Sequence, residues 1–132
     1  MAKTVAEKLG IKSGTTIWSS PPERLELIGV LPDGVRVVNG PEEATTALIF
    51  VDDAASARSI VAQQTGRLGD PTMLWVAYPK GGRADINRDT LWPILAEHGL
   101  RPIGQAAIDD VWSALRFRPL KEGESPFTGG VG

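Results

Sequence analysis

Two adjacent serines, Ser19 and Ser20, stand where this sequence could bind a ligand or perform catalysis. They end an apolar, β-branched run and are followed by Pro21 and Pro22. In a doubly wound α/β fold this turn holds a cofactor, and glycines there bring backbone N–H groups close to it. Proline has a fixed φ and no N–H, so this turn lacks those donors. The sequence is typical of a cofactor-binding fold, except that the turn after its first strand lacks the backbone donors that would contact the cofactor.

Serine chemistry requires a base beside the hydroxyl and an oxyanion site. The only histidine, His98, is predicted at the far end of the third helix, away from the sheet edge where Ser19 and Ser20 lie. A histidine at that position can interact favourably with the helix dipole and donate a hydrogen bond to one of the last carbonyl groups. We therefore predict no catalytic residue.

Segment 78–83 is the strongest candidate for anion binding. Lys80 and Arg83 supply two cations, two glycines lie between them, and a helix is predicted to begin nearby. The segment leaves the carboxyl end of a predicted parallel strand, where such sheets bind ligands. The alternative is a solvent-exposed loop in which the glycines only permit the turn.

The paired aspartates have local explanations as well as functional ones. Asp52 and Asp53 end a predicted strand, so either can cap the next helix or accept hydrogen bonds from a ligand. Asp109-Asp110 is typical of a hairpin turn. Asp85 and Asp89 alone provide too few oxygen ligands to bind a hard cation. A chain with one histidine and no cysteine is not expected to bind a transition metal.

We predict neither a metal nor a cofactor. The candidate ligand-binding residues are Ser19, Ser20, Asp52, Tyr78, Lys80 and Arg83.

Four tryptophans are many for this length. Trp75 and Trp92 are predicted to fill the core. Trp112 shares one face of a predicted strand with Arg116 and Arg118, which indicates either a packed arginine–aromatic stack or a partner-binding surface. A homo-oligomer formed through the hairpin near Trp112 and Arg116 is one hypothesis.

The elements that must position these side chains follow from the apolar pattern. Buried strands are predicted at 15–19, 35–39, 47–52 and 73–78, and helices at 23–29, 54–68 and 89–98. Pro93 is tolerated only in a first turn, which places the start of the third helix near Asp89 or Thr90. Strands 103–108 and 111–118 are separated by two residues and must form an antiparallel hairpin.

This pattern predicts a three-layer α/β fold with a mostly parallel sheet of about six strands, in the order 2-1-3-4-6-5, and helices on both faces. Residues 1–120 form a single domain in this prediction. The glycine- and proline-rich segment 121–132 is predicted to be a disordered tail.

Composition narrows the possible partners. The 132 residues are 42% hydrophobic and 23% charged, with a net charge of −2. Basic residues are not clustered, so we do not expect nucleic-acid binding. No apolar run approaches the roughly 20 residues of a membrane span, so no membrane association is expected. The absence of cysteine fits a cytoplasmic protein.

The order of elements resembles a shortened methyltransferase-like Rossmann fold, with segment 68–76 similar to its fifth strand and segment 99–118 similar to its closing hairpin. The strings KLGIK at 8–12, WVAYPK at 75–80 and WSALRFRP at 112–119, with Pro21-Pro22, resemble short bacterial proteins of unknown function.

The methyltransferase resemblance has specific departures. The glycine-rich turn is absent, Asn39-Gly40 replaces the acidic residue expected after the second strand, and a middle strand–helix unit is missing. The Asp52-Asp53-Ala54 junction also lacks the Asn/Asp-Pro-Pro-aromatic pattern. Our leading hypothesis is a non-catalytic cytoplasmic protein that binds a partner or a small anion. The alternative is an S-adenosylmethionine-dependent methyltransferase with an atypical cofactor turn.

Overall fold

A computed structural model describes residues 4–64, 66–68, 70–80, 85–120 and 123. The strands are β1 (Thr16–Ser20), β2 (Arg36–Val37), β3 (Thr46–Phe50), β4 (Met73–Pro79), β5 (Leu100–Ala107) and β6 (Trp112–Pro119). The helices are α1 (Val5–Lys8), α2 (Ala54–Gln63) and α3 (Arg88–Ala96), with 3₁₀ helices at Pro22–Ile28 and Pro41–Glu43. Apart from residue 123, the predicted tail lies outside the described residues and stays a prediction.

One six-stranded sheet has the order β2-β1-β3-β4-β6-β5, as the sequence predicts. Strands β2, β1, β3 and β4 are mutually parallel where they pair, and β6 is antiparallel to both β4 and β5. The register of β5 shifts between Pro102 and Gly104, so Ile103 forms a bulge on this edge strand. The predicted α/β class and the antiparallel terminal hairpin are confirmed.

The two faces of the sheet are covered by different helices. On the first face, Ala47, Ile49 and Val51 belong to a buried cluster that includes the apolar sides of α2 and α3. On the second face, Leu48 and Phe50 belong to a cluster that includes α1 and the 3₁₀ helix Pro22–Ile28. Consecutive residues of β3 are therefore buried on opposite sides, as expected for a covered parallel strand.

The segments near the β2 edge differ from their predicted form. The predicted helix at 23–29 is a 3₁₀ helix that begins at Pro22 and ends before Gly29, which has a φ of 75°. The predicted buried strand at 35–39 shortens to two exposed residues in β2. Because β2 pairs with β1 alone, only one side of its backbone has a strand partner.

The other helices keep their predicted places with different limits. Helix α2 ends at Gln63 instead of 68, and Gly66 follows with a φ of 84°. Helix α3 begins at Arg88, so Pro93 lies in its second turn and the first-turn prediction is wrong. We attribute the continuation of α3 past Pro93 to the burial of its apolar residues Leu91, Ile94 and Leu95 in the first-face cluster. In the described part of the chain, no helix is long and apolar enough to cross a membrane.

Candidate functional site

The carboxyl edge of the sheet is the edge at which β1, β3 and β4 end. Ser20 pairs in register with Ile49, and Phe50 pairs with Ala77, so the three strands end side by side. This arrangement brings five of the six predicted site residues to one edge: Ser19, Ser20, Asp52, Tyr78 and Lys80. Arg83 lies outside the described residues.

The predicted residues do not share one face of the sheet. Ser19 alternates with Ile17 and lies on the second face, whereas Tyr78 belongs to the first-face cluster. The Ser19 hydroxyl is buried and donates a hydrogen bond to the Pro21 carbonyl at 3.3 Å. Ser20 is half-buried, and its peptide bond to Pro21 is cis. Ser19 therefore contributes its hydroxyl to the turn itself.

The Tyr78 hydroxyl contacts the terminal hairpin. The Gln105 side-chain amide donates to the Tyr78 hydroxyl at 3.2 Å and approaches the Ser113 hydroxyl at 3.3 Å. Ser113 in turn donates to the carbonyl of Ala106 at 3.3 Å. Lys80 is half-buried, and its backbone N–H donates to the Val111 carbonyl at 2.8 Å. These contacts attach the end of β4 to the hairpin.

Arg24 links the ends of three strands and was missed by the sequence analysis. Its Nη1 lies 2.6 Å from the Asp52 carboxylate, and its guanidinium carbon lies 5.0 Å from the centroid of the Trp112 ring. The Trp112 ring meets Phe50 edge to face, with centroids 5.3 Å apart. The arginine stacked on Trp112 is thus Arg24, from the 3₁₀ helix after β1, and no local sequence pattern marks this pair.

Carboxylates occupy the N-terminus of α2. The Asp53 side chain accepts from the Ser56 N–H at 2.7 Å, and the Asp85 side chain accepts from the Ala54 N–H at 2.8 Å. Asp53 is therefore the helix cap, one of the two assignments that the sequence left open. Asp52 is not the cap, and its side chain pairs with Arg24. The negative charges on Asp53 and Asp85 make the start of α2 unfavourable for an anion.

The remaining acidic pair and the histidine lie where the sequence places them. Asp109 accepts hydrogen bonds from the N–H groups of Val111 and Trp112, which closes the hairpin turn. His98 lies just after α3, and it lines a cavity with Leu100 at the edge where β4 begins. It is therefore at the opposite edge from the two serines. Within the described ranges, no group of three or more histidine, cysteine or acidic residues could hold a metal ion.

Comparison with known proteins identifies the fold. No protein-family model matches the sequence, and no curated protein matches it. Among solved structures, Sp1610 of Streptococcus pneumoniae, a candidate tRNA (m1A22) methyltransferase, is 13% identical with a TM-score of 0.56. That alignment covers 98% of this chain and 74% of Sp1610.

Two further structures give the same result. Sp1610 in complex with S-adenosyl-L-methionine is 13% identical with a TM-score of 0.55, covering 98% of this chain and 77% of that one. The M1A22 tRNA methyltransferase TrmK of B. subtilis is 13% identical with a TM-score of 0.52, covering 90% of this chain and 66% of TrmK. At these identities the similarity concerns the fold alone. The chain has a methyltransferase-like Rossmann fold.

Proposed function

We propose that this chain is a non-catalytic cytoplasmic binding protein that uses a methyltransferase-like Rossmann scaffold for a partner or a small anion. In this proposal the carboxyl edge does not bind S-adenosylmethionine. Lys80 and Arg24 are described cations at this edge, Arg24 being paired with Asp52, and Arg83 is a further cation that the sequence predicts there.

The observation that carries the proposal is the contact of Arg24 with Asp52 and Trp112. Ligands of doubly wound sheets bind outside the carboxyl ends of the strands. Here the guanidinium of Arg24 pairs with the carboxylate that follows β3 and packs on the ring that begins β6. The chain's own side chains thus take up contacts that a ligand would need at the ends of β1 and β3.

The chemistry of the neighbouring groups also favours binding without catalysis. The Ser19 hydroxyl donates to Pro21, and His98 lies at the other edge of the sheet. Pro21 and Pro22 offer no backbone N–H to a cofactor. No base is therefore available to either serine from the only histidine.

The competing function is methyl transfer from S-adenosylmethionine, which the candidate methyltransferase Sp1610 binds. For this chain, methyl transfer would require a pocket beside Pro21 and Pro22 that is large enough for adenosine. Arg24 would either have to move away from Asp52 and Trp112 or contact the cofactor itself. RNA would be the substrate class by analogy with TrmK, an analogy that rests on fold alone.

Thermal unfolding with and without S-adenosylmethionine and S-adenosylhomocysteine tests the proposal. A ligand at 100 times its dissociation constant adds about 2.7 kcal/mol to the stability of the folded state, which raises the midpoint of a domain of this size by several degrees. We expect no shift at millimolar ligand. A shift of several degrees with either compound would contradict the proposal and support the methyltransferase.

Two arginine variants sharpen the test. Arg24→Ala removes the group that contacts Asp52 and Trp112, and Arg58→Ala removes an exposed arginine from α2 as a matched control. If Arg24 alone excludes the cofactor, Arg24→Ala gains a ligand-dependent shift and Arg58→Ala does not. If neither variant gains one, the proline turn itself is sufficient to exclude the cofactor.

A further inference from the structure

Strand β5 leaves one side of its backbone without a strand partner. It lies at one end of the sheet, and among the described residues it pairs with β6 alone. The N–H of Ile108 donates to the Trp112 carbonyl at 2.9 Å, so residue 108 faces β6. Because bonded and non-bonded residue pairs alternate in an antiparallel ladder, Ala106 also faces β6, whereas Gln105 and Ala107 present their N–H and C=O groups outward.

The second half of β5 carries none of the features that block an exposed edge. Natural edge strands avoid pairing with other chains through charged side chains, prolines and bulges. In β5, Pro102 and the bulge at Ile103 lie in the first half of the strand. Residues 104–107 are uncharged and include no proline, and three of the four are exposed. Ile103, beside this stretch, is a large apolar side chain that is 42% exposed. This stretch is therefore open to a further strand.

The charges that flank this stretch have opposite signs at its two ends. Arg101 lies before it, at the start of β5, and the exposed Asp109 and Asp110 lie after it, in the hairpin turn. An antiparallel strand of the same sequence would place its own aspartates near Arg101 and its own arginine near the aspartates. A parallel strand of the same sequence would bring like charges together. The edge is therefore complementary in charge to a second copy of itself.

We propose that this chain forms a homodimer in which β5 pairs antiparallel with β5 of a second copy across a two-fold axis. With the axis at Ala106, Gln105 of each copy lies opposite Ala107 of the other, and the two residues exchange both of their N–H···O=C hydrogen bonds. The Asp109-Asp110 turn of each copy then lies near Arg101 of the other. The two six-stranded sheets join into one continuous sheet.

This interface uses the hairpin that the sequence-based hypothesis singles out, but a different strand of it. Trp112 in β6 packs against Arg24 and Phe50 of its own chain. The outer backbone of β5 pairs with no strand in the part of the chain that the structure describes. The interface includes none of the predicted ligand-binding residues, so it does not depend on whether the carboxyl edge binds S-adenosylmethionine.

Sedimentation equilibrium of the full chain measures the mass, and amide hydrogen exchange locates the interface. We expect the mass to rise from that of one chain to that of two between micromolar and millimolar concentration. Over the same range the amides of Gln105 and Ala107 should become protected from exchange, whereas the amide of Ala106, which faces β6, should be protected throughout. A single-chain mass at every concentration, or a dimer in which the amides of Gln105 and Ala107 stay unprotected, would overturn the proposal.

Two sets of variants test the pairing and the charges separately. Ala107→Pro removes an outward N–H at a position where an edge strand tolerates proline, and it should abolish the dimer, whereas the control Ala107→Val keeps the N–H and the dimer. Asp110→Lys and Arg101→Glu should each weaken the dimer, and the double variant should restore it. Asp70→Lys, at an exposed site outside the hairpin, should leave the mass unchanged. A dimer that survives Ala107→Pro, or charge reversals without mutual rescue, would overturn the assignment.

Discussion

At the residue scale, Arg24 joins the segment after β1, the end of β3 and the start of β6. Its side chain is 28% exposed and that of Asp52 is 59% exposed, so water screens much of the ion-pair energy. Stacking on Trp112 adds a contribution of about 0.5–1 kcal/mol for a partly exposed cation–π contact. The contact with the ring therefore matters at least as much as the charge pair.

Arg24→Ala should lower the free energy of unfolding by about 1 kcal/mol, whereas Asp52→Asn should lower it by less, because the stack on Trp112 remains. Urea denaturation measures both values, with Arg58→Ala as the control for losing an exposed arginine. Equal losses for Arg24→Ala and Asp52→Asn would show that the ion pair supplies the energy and would refute a stabilising stack.

At the element scale, particular polar contacts satisfy backbone groups at the ends of α1 and α2. Helix α1 has only four residues, too few for independent stability, and the segment after it is held by Trp75 through the Leu9 carbonyl. Helix α2 begins with Asp53 as its cap and receives a further acceptor from Asp85. Each contact satisfies a backbone group at or beside a helix end.

Trp75→Phe should destabilise the fold by about 1–3 kcal/mol because it leaves the buried acceptor of Leu9 without its donor. Trp18→Phe is the matched control, since Trp18 is a buried indole in the first-face cluster and no hydrogen bond joins it to another described side chain. Chemical denaturation should show the larger loss for Trp75→Phe. Equal losses would assign the effect to ring volume.

Asp53→Ala should lower stability by about 1 kcal/mol, since it removes the acceptor for the Ser56 N–H at the start of α2. Asp70→Ala removes an exposed aspartate outside the helices and should change stability by less than about 0.5 kcal/mol. Urea denaturation measures the free energy of unfolding of both variants. Comparable losses for the two substitutions would contradict the capping role of Asp53.

The sequence predicted the strand order because the buried strands β3 and β4 are continuous apolar runs and the two-residue turn at Asp109-Asp110 permits only a hairpin. It placed β2 correctly in that order but predicted a buried strand at 35–39, whereas β2 has two residues and Val37 is exposed at the sheet edge. Nor did it predict the contacts of Arg24 with Asp52 and Trp112. These depend on side chains far apart in the sequence, which no local pattern specifies.

At the scale of the whole molecule, the side chains at the carboxyl edge of the sheet contact one another. The carboxyl edge carries an internal ion pair and a helix start occupied by carboxylates. Lys80 also lies at this edge and is half-buried. A methyltransferase-like fold would place its ligand at this edge, where the Arg24–Asp52 pair already contacts the Trp112 ring.

The measurement that tests this account most directly is a titration of the ¹⁵N-labelled protein with S-adenosylhomocysteine, followed by amide chemical shifts. We predict that the amides of Ser19, Ser20, Asp52 and Asp53 do not move at millimolar ligand, because the chain's own side chains fill the contacts at the ends of β1 and β3. Saturable shifts confined to these amides would contradict the account and establish a cofactor site at the carboxyl edge.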